Sequence, residues 1–353
     1  MSDFEFNPYR LTAEQKRRRA KRRRMYRLRQ RLMECGILLV LAAVIVVPIC
    51  LLTGNKKPTV DKPESTPKVS EPIAQPTVPA YPIADENTVT LGGEVDAQYA
   101  VLVDVTTGRI VAQKNADKKA FPASITKVMT LLVAAEQTTD YDATYTMSYE
   151  FLNDLYLQEA TVAGFSSGEA VTVNDMLYGC ILPSGADATI GLSNHLAGSE
   201  GDFAGLMNQK ASQLGLKNTH FVNSSGLHNN NHYTTATDMA VITMAAMQNP
   251  KCKEVLSTYQ HTTRSTEQHP NGLLLTSTLF SRMKGDEPEG ATVIAGKTGY
   301  TGQAKHTMVS YATGDDGHDY VFVTMGGTTR WKATFDAIDT LTAFFGSTTT
   351  TTE

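Results

Sequence analysis

Ser124 and Lys127 stand three residues apart in the stretch FPASITKVMTLLVAAEQ, Phe121 to Gln137. On a helix that spacing puts both on one face. A serine hydroxyl is a poor nucleophile until a base takes its proton, and a neutral lysine amine can be that base. Burial disfavours the charged form of lysine and lowers its pKa. The rest of the stretch supplies the burial: Val128, Met129, Leu131, Leu132, Val133, Ala134 and Ala135. A helix this apolar is a buried one, and lysine is rarely buried without a partner or a task. A helix start also offers backbone N–H groups to a developing anion beside Ser124. The chemistry implied is nucleophilic attack by an activated serine. Ser-x-x-Lys is a short pattern, and a surface helix start is the rival reading; the apolar body argues against it.

Two further stretches belong with this pair. LPSGADA, Leu182 to Ala188, places Ser184 in a break between helices. GKTGYTGQA, Gly296 to Ala304, places Lys297, Thr298, Gly299 and Tyr300 on a strand-like run. The elements that would position them can be read along the chain. QYAVLVDVTTGRIVAQ is a hairpin turning at Thr-Thr-Gly. VTVNDMLYGCIL is a helix broken at Pro183. GSEGDFAGLMNQKASQLGL starts a helix at Ser199 with Asp202 three residues on, and TTATDMAVITMAAMQNP repeats that device with Thr235 and Asp238, stopping at Pro250. ATVIAGKTG, KHTMVSYAT and YVFVTMGG are strands joined by short turns, so they pair antiparallel. WKATFDAIDTLTAFFG closes with an amphipathic helix carrying Phe335, Ile338, Leu341 and Phe345 on one side. Strands at both ends and helices between predict an α+β fold: an antiparallel sheet flanked by the first and last helices, with an inserted helical subdomain.

The chain has 353 residues and a net charge of −4. Length alone allows two or three domains, but the first quarter is not one. Residues 1–35 carry 12 Lys or Arg against 4 acids, a balance of +8, so the remainder carries −12. Next comes an uncharged run, Ile37 to Thr53, long enough for roughly 26 Å of helix. The expectation is a basic cytoplasmic segment (1–35), a transmembrane helix (36–53) and an extracytoplasmic remainder. A cleaved signal peptide fits less well, because the leader is long and lacks a small-x-small site. A lipid anchor at Cys50 is disfavoured by the bulky Ile49. The run KRRRAKRRR needs no nucleic acid to explain it beside a membrane span. Seven of the 14 prolines fall between Pro58 and Pro82, without a glycine; residues 54–90 read as a semi-extended spacer. Residues 91–347 read as the catalytic domain and 348–353 as a disordered tail. Cys180, in MLYGCIL, reads as a buried thiol, and Cys252 is the other cysteine of the outer part.

Ser-x-x-Lys, a serine in a loop and Lys-Thr-Gly on a strand, in that order, form the signature set of penicillin-binding proteins and serine β-lactamases. The resemblance is closest to the D-alanyl-D-alanine carboxypeptidases, low-molecular-mass penicillin-binding proteins of serine-peptidase family S11. VDVTTGRIVAQKNADKKAFPASITKVMT resembles their opening, GEAVTVNDMLYGCILPSGADATIGLSNHLAGS and LGLKNTHFVNSSGLHNNNHYTTATDMA their middle, and GKTGYTGQA their last motif. The likeness spans nearly all of Gln98 to Phe345. It implies a β-lactamase/transpeptidase-like fold and an acyl-enzyme on Ser124, formed by attack between the two D-alanines ending a peptidoglycan stem pentapeptide. Lys127 would take the serine proton and Ser184 relay one to the leaving amine. Lys297 and Thr298 would hold the terminal carboxylate, Gly299 belongs to the same motif, and the N–H groups of Ser124 and Tyr300 would form the oxyanion hole. Water would release the acyl group, β-lactams would trap Ser124, and no metal or organic cofactor is implied. A D,D-endopeptidase, a β-lactamase and a non-catalytic wall scaffold are the alternatives.

Two positions depart from the family pattern. Ala186 stands where Ser-x-Asn would end, so no amide reaches substrate or lysine there; a lost buried contact of this kind costs about 1–3 kcal/mol. GGTTRWKATF places no basic residue in register with the family's usual arginine, leaving Arg330 or Lys332 as substitutes. Other residues have plainer readings. His228 and His232 are loop residues rather than zinc ligands, Glu169 is a loop acid, and His220, Asn223 and Ser225 make loop hydrogen bonds near the cleft.

Overall fold

The computed structural model describes residues 79–346. The basic block, the apolar segment at 36–53, most of the proline-rich stretch and the tail at 348–353 lie outside the described residues. Among the described residues, no helix is long and apolar enough to cross a membrane.

The chain enters through β1 (Val89–Thr90), β2 (Tyr99–Asp104) and β3 (Arg109–Lys114). β2 and β3 form the expected hairpin, turning at Gly108 with φ 73°. A 3-10 turn (Ala123–Thr126) leads into α1 (Lys127–Gln137). The helical part follows: β4 (Thr144–Thr146), α2 (Tyr149–Leu157), β5 (Ala170–Thr172), α3 (Val173–Ile181), α4 (Ala186–Ala197), α5 (Glu200–Gln213), α6 (Ala236–Gln248) and α7 (Pro250–Leu256). A small hairpin, β6 (Gln260–Thr262) and β7 (Leu274–Thr276), and α8 (Thr278–Met283) lead back to the sheet. β8 (Ala291–Thr301), β9 (Lys305–Gly314), β10 (Asp319–Gly327) and α9 (Arg330–Phe345) complete the fold.

Local chemistry sets the helix ends. The side chains of Thr172, Ser199 and Thr235 accept from the N–H groups of Asp175, Asp202 and Asp238, so one free N–H at each helix start has a partner. α6 stops before Pro250, as its composition predicts, but that proline also opens α7, where a missing N–H costs nothing.

Six strands make one sheet in the order β1-β3-β2-β10-β9-β8. β1 pairs parallel to β3 and the other pairings are antiparallel. Every residue of β10 after Asp319 is buried, so both faces of the strand are covered. α6 packs on β2 and β10, and α9 packs on β8, β9 and β10. Here the first-helix expectation changes. α1 packs on α3, α4, α5, α6 and α7, while the 3-10 turn before it meets β8 and β9. The reason is in its residues: Lys127 to Ala135 are all buried, so the helix needs neighbours on every side and becomes the centre of the helical layer.

The boundary of the spacer also moves. Residues 79–90 were expected to be spacer, yet they fold onto the sheet. Ile83 exchanges backbone hydrogen bonds with the β3 edge through Gly108 O and Ile110 N, and Tyr81 Oη donates to Asp238 Oδ1 at 2.8 Å. Proline-rich chain is already extended, so it can lie along a strand edge; composition alone does not show such pairing.

Candidate active site

Three ties bring the 3-10 turn onto the sheet. Thr307 Oγ1 of β9 donates to Pro122 O at 2.9 Å. Gly299 of β8 lies so close beneath the turn that a Cβ there would come within 2.7 Å of Ser124 N. Gly226 approaches from the loop after α5, and a Cβ on it would stand 2.0 Å from Ala123 O. Ala123 itself has φ 51°, an uncommon value for a residue with a side chain. The backbone is thus held on three sides just before the serine.

Ser124 is half-buried, and Lys127 is only 2 % exposed. Lys127 Nζ donates to Ser124 Oγ at 3.1 Å and to Ser225 O at 2.6 Å. Burial pushes the amine down to about 8, against opposing pulls from Cys180, Glu200 and Asp187. Its neutral form is therefore accessible near physiological pH, with the serine oxygen within hydrogen-bond reach. Lys297 is also buried; its Nζ donates to Thr298 O at 2.8 Å. Burial first, then repulsion from Lys127, holds it well below the usual lysine range. Thr298 Oγ1 shares a 2.7 Å hydrogen bond with Thr278 Oγ1, and Tyr300, 57 % exposed, stacks on His306 at the rim.

Ser184 lies between α3 and α4 with φ 70°, again in the left-handed region. Two contacts bind its loop to the same cleft. Thr278 N donates to Leu182 O at 3.0 Å, and Cys180 Sγ lies 4.0 Å from Lys127 O. Among the described residues the Ser184 hydroxyl makes no hydrogen bond, so its donor and acceptor are open to an incoming group. Ala186 is buried as the first residue of α4, its N–H given to Thr161 O. Asp187 takes the N–H groups of Ala163, Gly164, Phe165 and Ala188, which fixes the loop beside it. The turn that carries Ser124 thus meets β8, the strand of Lys297, Thr298, Gly299 and Tyr300, and the Ser184 loop is tied beside them through Leu182 and Cys180.

The basic residues after β10 divide. Lys332 Nζ donates to Asp96 Oδ1 at 2.6 Å, while the Arg330 guanidinium lies over Trp331. A third cation was missed from the sequence. Arg282 of α8 lies near enough to help depress both Lys297 and His306. Nothing in SRMK marks it, because its relevance comes from α8 running beside β8. Ser225 was read as a loop residue, and its side chain fits that reading; the functional contact is its backbone carbonyl.

The histidines of HNNNH brace the turn. His232 Nε2 pairs with Thr126 Oγ1 at 2.8 Å, and His228 packs edge-on against Phe121. Burial drives His232 down to about 4, so it is neutral at pH 7. Glu169 is a loop acid, as read, and it is buried. It accepts from Ser166 N, Thr266 Oγ1 and His269 Nδ1 beside a cavity of about 190 Å³ lined also by Phe165 and Asp175. Cys180 and Cys252 are buried free thiols.

Comparison with known proteins bears on what this geometry serves. Residues 85–329 match the profile of Peptidase S11, described as D-alanyl-D-alanine carboxypeptidase. The chain is 32 % identical over 230 residues to D-alanyl-D-alanine carboxypeptidase DacF of Bacillus subtilis, covering 62 % of this chain and 54 % of that one. It is likewise 32 % identical over 228 residues to DacA of Escherichia coli, with the same coverage. It therefore spans about half the length of these curated relatives. Its fold is similar to the crystal structure of the Streptomyces K15 DD-transpeptidase, with TM-score 0.64 and 28 % identity, covering 71 % of this chain and 97 % of that one. Penicillin binding protein 5 from Haemophilus influenzae gives TM-score 0.61 and 27 % identity, covering 69 % of each chain.

Proposed function

The chain belongs to the D-alanyl-D-alanine carboxypeptidase family, Peptidase S11, and from that premise we propose that it is a serine-type carboxypeptidase acting on peptidoglycan stem peptides that end in D-Ala-D-Ala. The observation that carries this is the Lys127 Nζ to Ser124 Oγ contact of 3.1 Å around a buried, down-shifted amine. Ser124 Oγ attacks the carbonyl between the two D-alanines as Lys127 takes its proton. The oxyanion forms against the N–H groups of Ser124 and Tyr300. Ser184 passes a proton to the leaving amine, and D-alanine departs. Lys297 and Thr298 hold the terminal carboxylate, and a bound carboxylate offsets the cost of charging a buried Lys297. Water then hydrolyses the ester. Gly299 has no side chain because one would strike Ser124 N. β-Lactams acylate the same oxygen.

The N-terminal basic block and apolar run support a further part of the reading: a single-pass anchor in the cytoplasmic membrane, with the catalytic domain outside. The transpeptidase named among the structural relatives favours a second outcome for the same ester, capture by an amine instead of water.

The test uses the purified full-length chain and a peptide ending in Lys-D-Ala-D-Ala. Release of D-alanine that vanishes in Ser124→Ala supports the carboxypeptidase. An added acceptor amine reports transfer. A folded protein that releases no D-alanine, and gains no mass on Ser124 from penicillin, overturns the reading.

A further inference from the structure

Ala186 stands where the family's usual asparagine would be, and the second partner of the Lys127 amine is Ser225 O. That carbonyl sits in a loop whose placement comes from α5 and α1. Glu200, the first residue of α5, accepts from Ser224 N at 3.0 Å and from Ser224 Oγ at 2.8 Å, both through Oε1. Thr130, one turn beyond Lys127 on α1, donates its Oγ1 to Ser224 O at 2.6 Å. Asn223 closes the turn by accepting from Gly226 N at 2.8 Å. Ser224 and Ser225 are fully buried, so the loop has little freedom once these bonds form. We propose that Glu200 is a positioning residue for the Ser124–Lys127 pair: it fixes the Ser225 carbonyl through Ser224 and places a carboxylate one residue away from the contact that holds the lysine.

This inference rests on the reading of Lys127 as the base. The groups that face Lys127 can be listed by element. α3 contributes Cys180, whose thiol burial pushes up to about 12, so it is neutral. α4 contributes Asp187, α5 Glu200, and β8 Lys297. The loop after α5 contributes His232, neutral at pH 7. Glu200 and Asp187 are thus the carboxylates that favour the charged lysine. They differ in what surrounds them: Asp187 is saturated with N–H donors from its own loop, whereas Glu200 bonds the segment that touches the lysine. Glu200 acts in two ways. It orients Lys127 through the loop, and its charge opposes the effect of burial, raising the pH at which Lys127 becomes neutral.

Two variants of the full-length chain separate these effects. Glu200→Gln keeps an oxygen for Ser224 N and Oγ and removes the charge. Glu200→Ala removes both. Two readouts are taken across pH: the titration of Lys127 by carbon-13 resonance of its ε-methylene, which needs no catalysis, and the second-order rate of penicillin acylation on Ser124. In Glu200→Gln, the Lys127 midpoint and the acid limb of acylation both move to lower pH, and the plateau rate is retained. In Glu200→Ala the plateau falls roughly ten- to a hundredfold, the scale of loss for a misplaced reacting group. An unmoved Lys127 midpoint in Glu200→Gln, or a wild-type plateau in Glu200→Ala, overturns the inference. A wild-type chain that penicillin never acylates refutes the carboxypeptidase reading, and the lysine titration still decides the role of Glu200.

Discussion

Two regions of the molecule bury charged side chains and treat them differently. In the cleft, Lys127 Nζ makes two hydrogen bonds and Lys297 Nζ one among the described residues, although an ammonium can donate three. Beside the β6–β7 hairpin, the Asp175 carboxylate accepts from Thr172 Oγ1, His261 Nε2 and Arg264 N. Glu169 next to it accepts from Ser166, Thr266 and His269. The consequences run in opposite directions. Burial would push Asp175 up, but the hydrogen bonds of His261 and Thr172 outweigh it and hold the carboxyl below its usual range. The cleft amines lack enough acceptors to resist burial, so they fall. A buried charge with a full set of partners is a structural tie. One with too few partners is poised to exchange a proton.

The sharpest way to break this comparison is to delete one member from each side. Lys127→Met removes the base and fills its space. Acylation of Ser124 by penicillin should fall roughly 10³-fold or more, with the melting temperature kept or raised, because a costly buried amine is gone. Asp175→Ala, on the hairpin side, should do the reverse. It strands Thr172 Oγ1, His261 Nε2 and Arg264 N, and should cost about 3–5 kcal/mol of stability in denaturant unfolding. Equal loss of stability in the two variants would erase the distinction.

A smaller effect is expected at Gly299. Gly299→Ala forces its Cβ against Ser124 N and Thr307 Oγ1. The turn must shift by a few tenths of an ångström or more, and acylation should slow by about 10²-fold with little change in unfolding midpoint. A wild-type rate would mean the serine turn is not held by β8.

The mildest test is pH. His232 is neutral in the fold because its pKa is lowered from 6.5 to about 4. Between those values the unfolded chain binds the extra proton and the folded one does not, so stability falls as pH drops from 6.5 towards 4. The full span is worth roughly 3 kcal/mol. His232→Gln should flatten this limb, and an unchanged slope would show that other groups set it.

Much of this was legible from residue order. Ser199 and Thr235 announce helix starts because capping is local chemistry. The strands of β8 to β10 announce themselves by long β-branched and aromatic runs. Ser124, Lys127, Ser184 and Lys297 stand out through the order of three short motifs, and Lys127 also because a lysine in an apolar helix needs a partner or a task. What was not legible depends on backbone or on neighbours distant in the chain. The Ser225 carbonyl has no side-chain signature. Arg282 looks like any surface arginine until α8 is laid beside β8. The place of α1 at the centre of the helical layer, instead of on the sheet, follows from packing that no local period encodes.

The strap formed by residues 79–90 has a practical bearing on where this protein can be cut. A chain trimmed to start at residue 91 keeps every catalytic side chain. It loses Tyr81, which bonds Asp238 at the first turn of α6, and uncovers the β3 edge that Ile83 and β1 occupy. An open strand edge is a template for pairing with another molecule. A fragment that keeps these ties must include Tyr81, and a shorter one would trade solubility for a few residues of length.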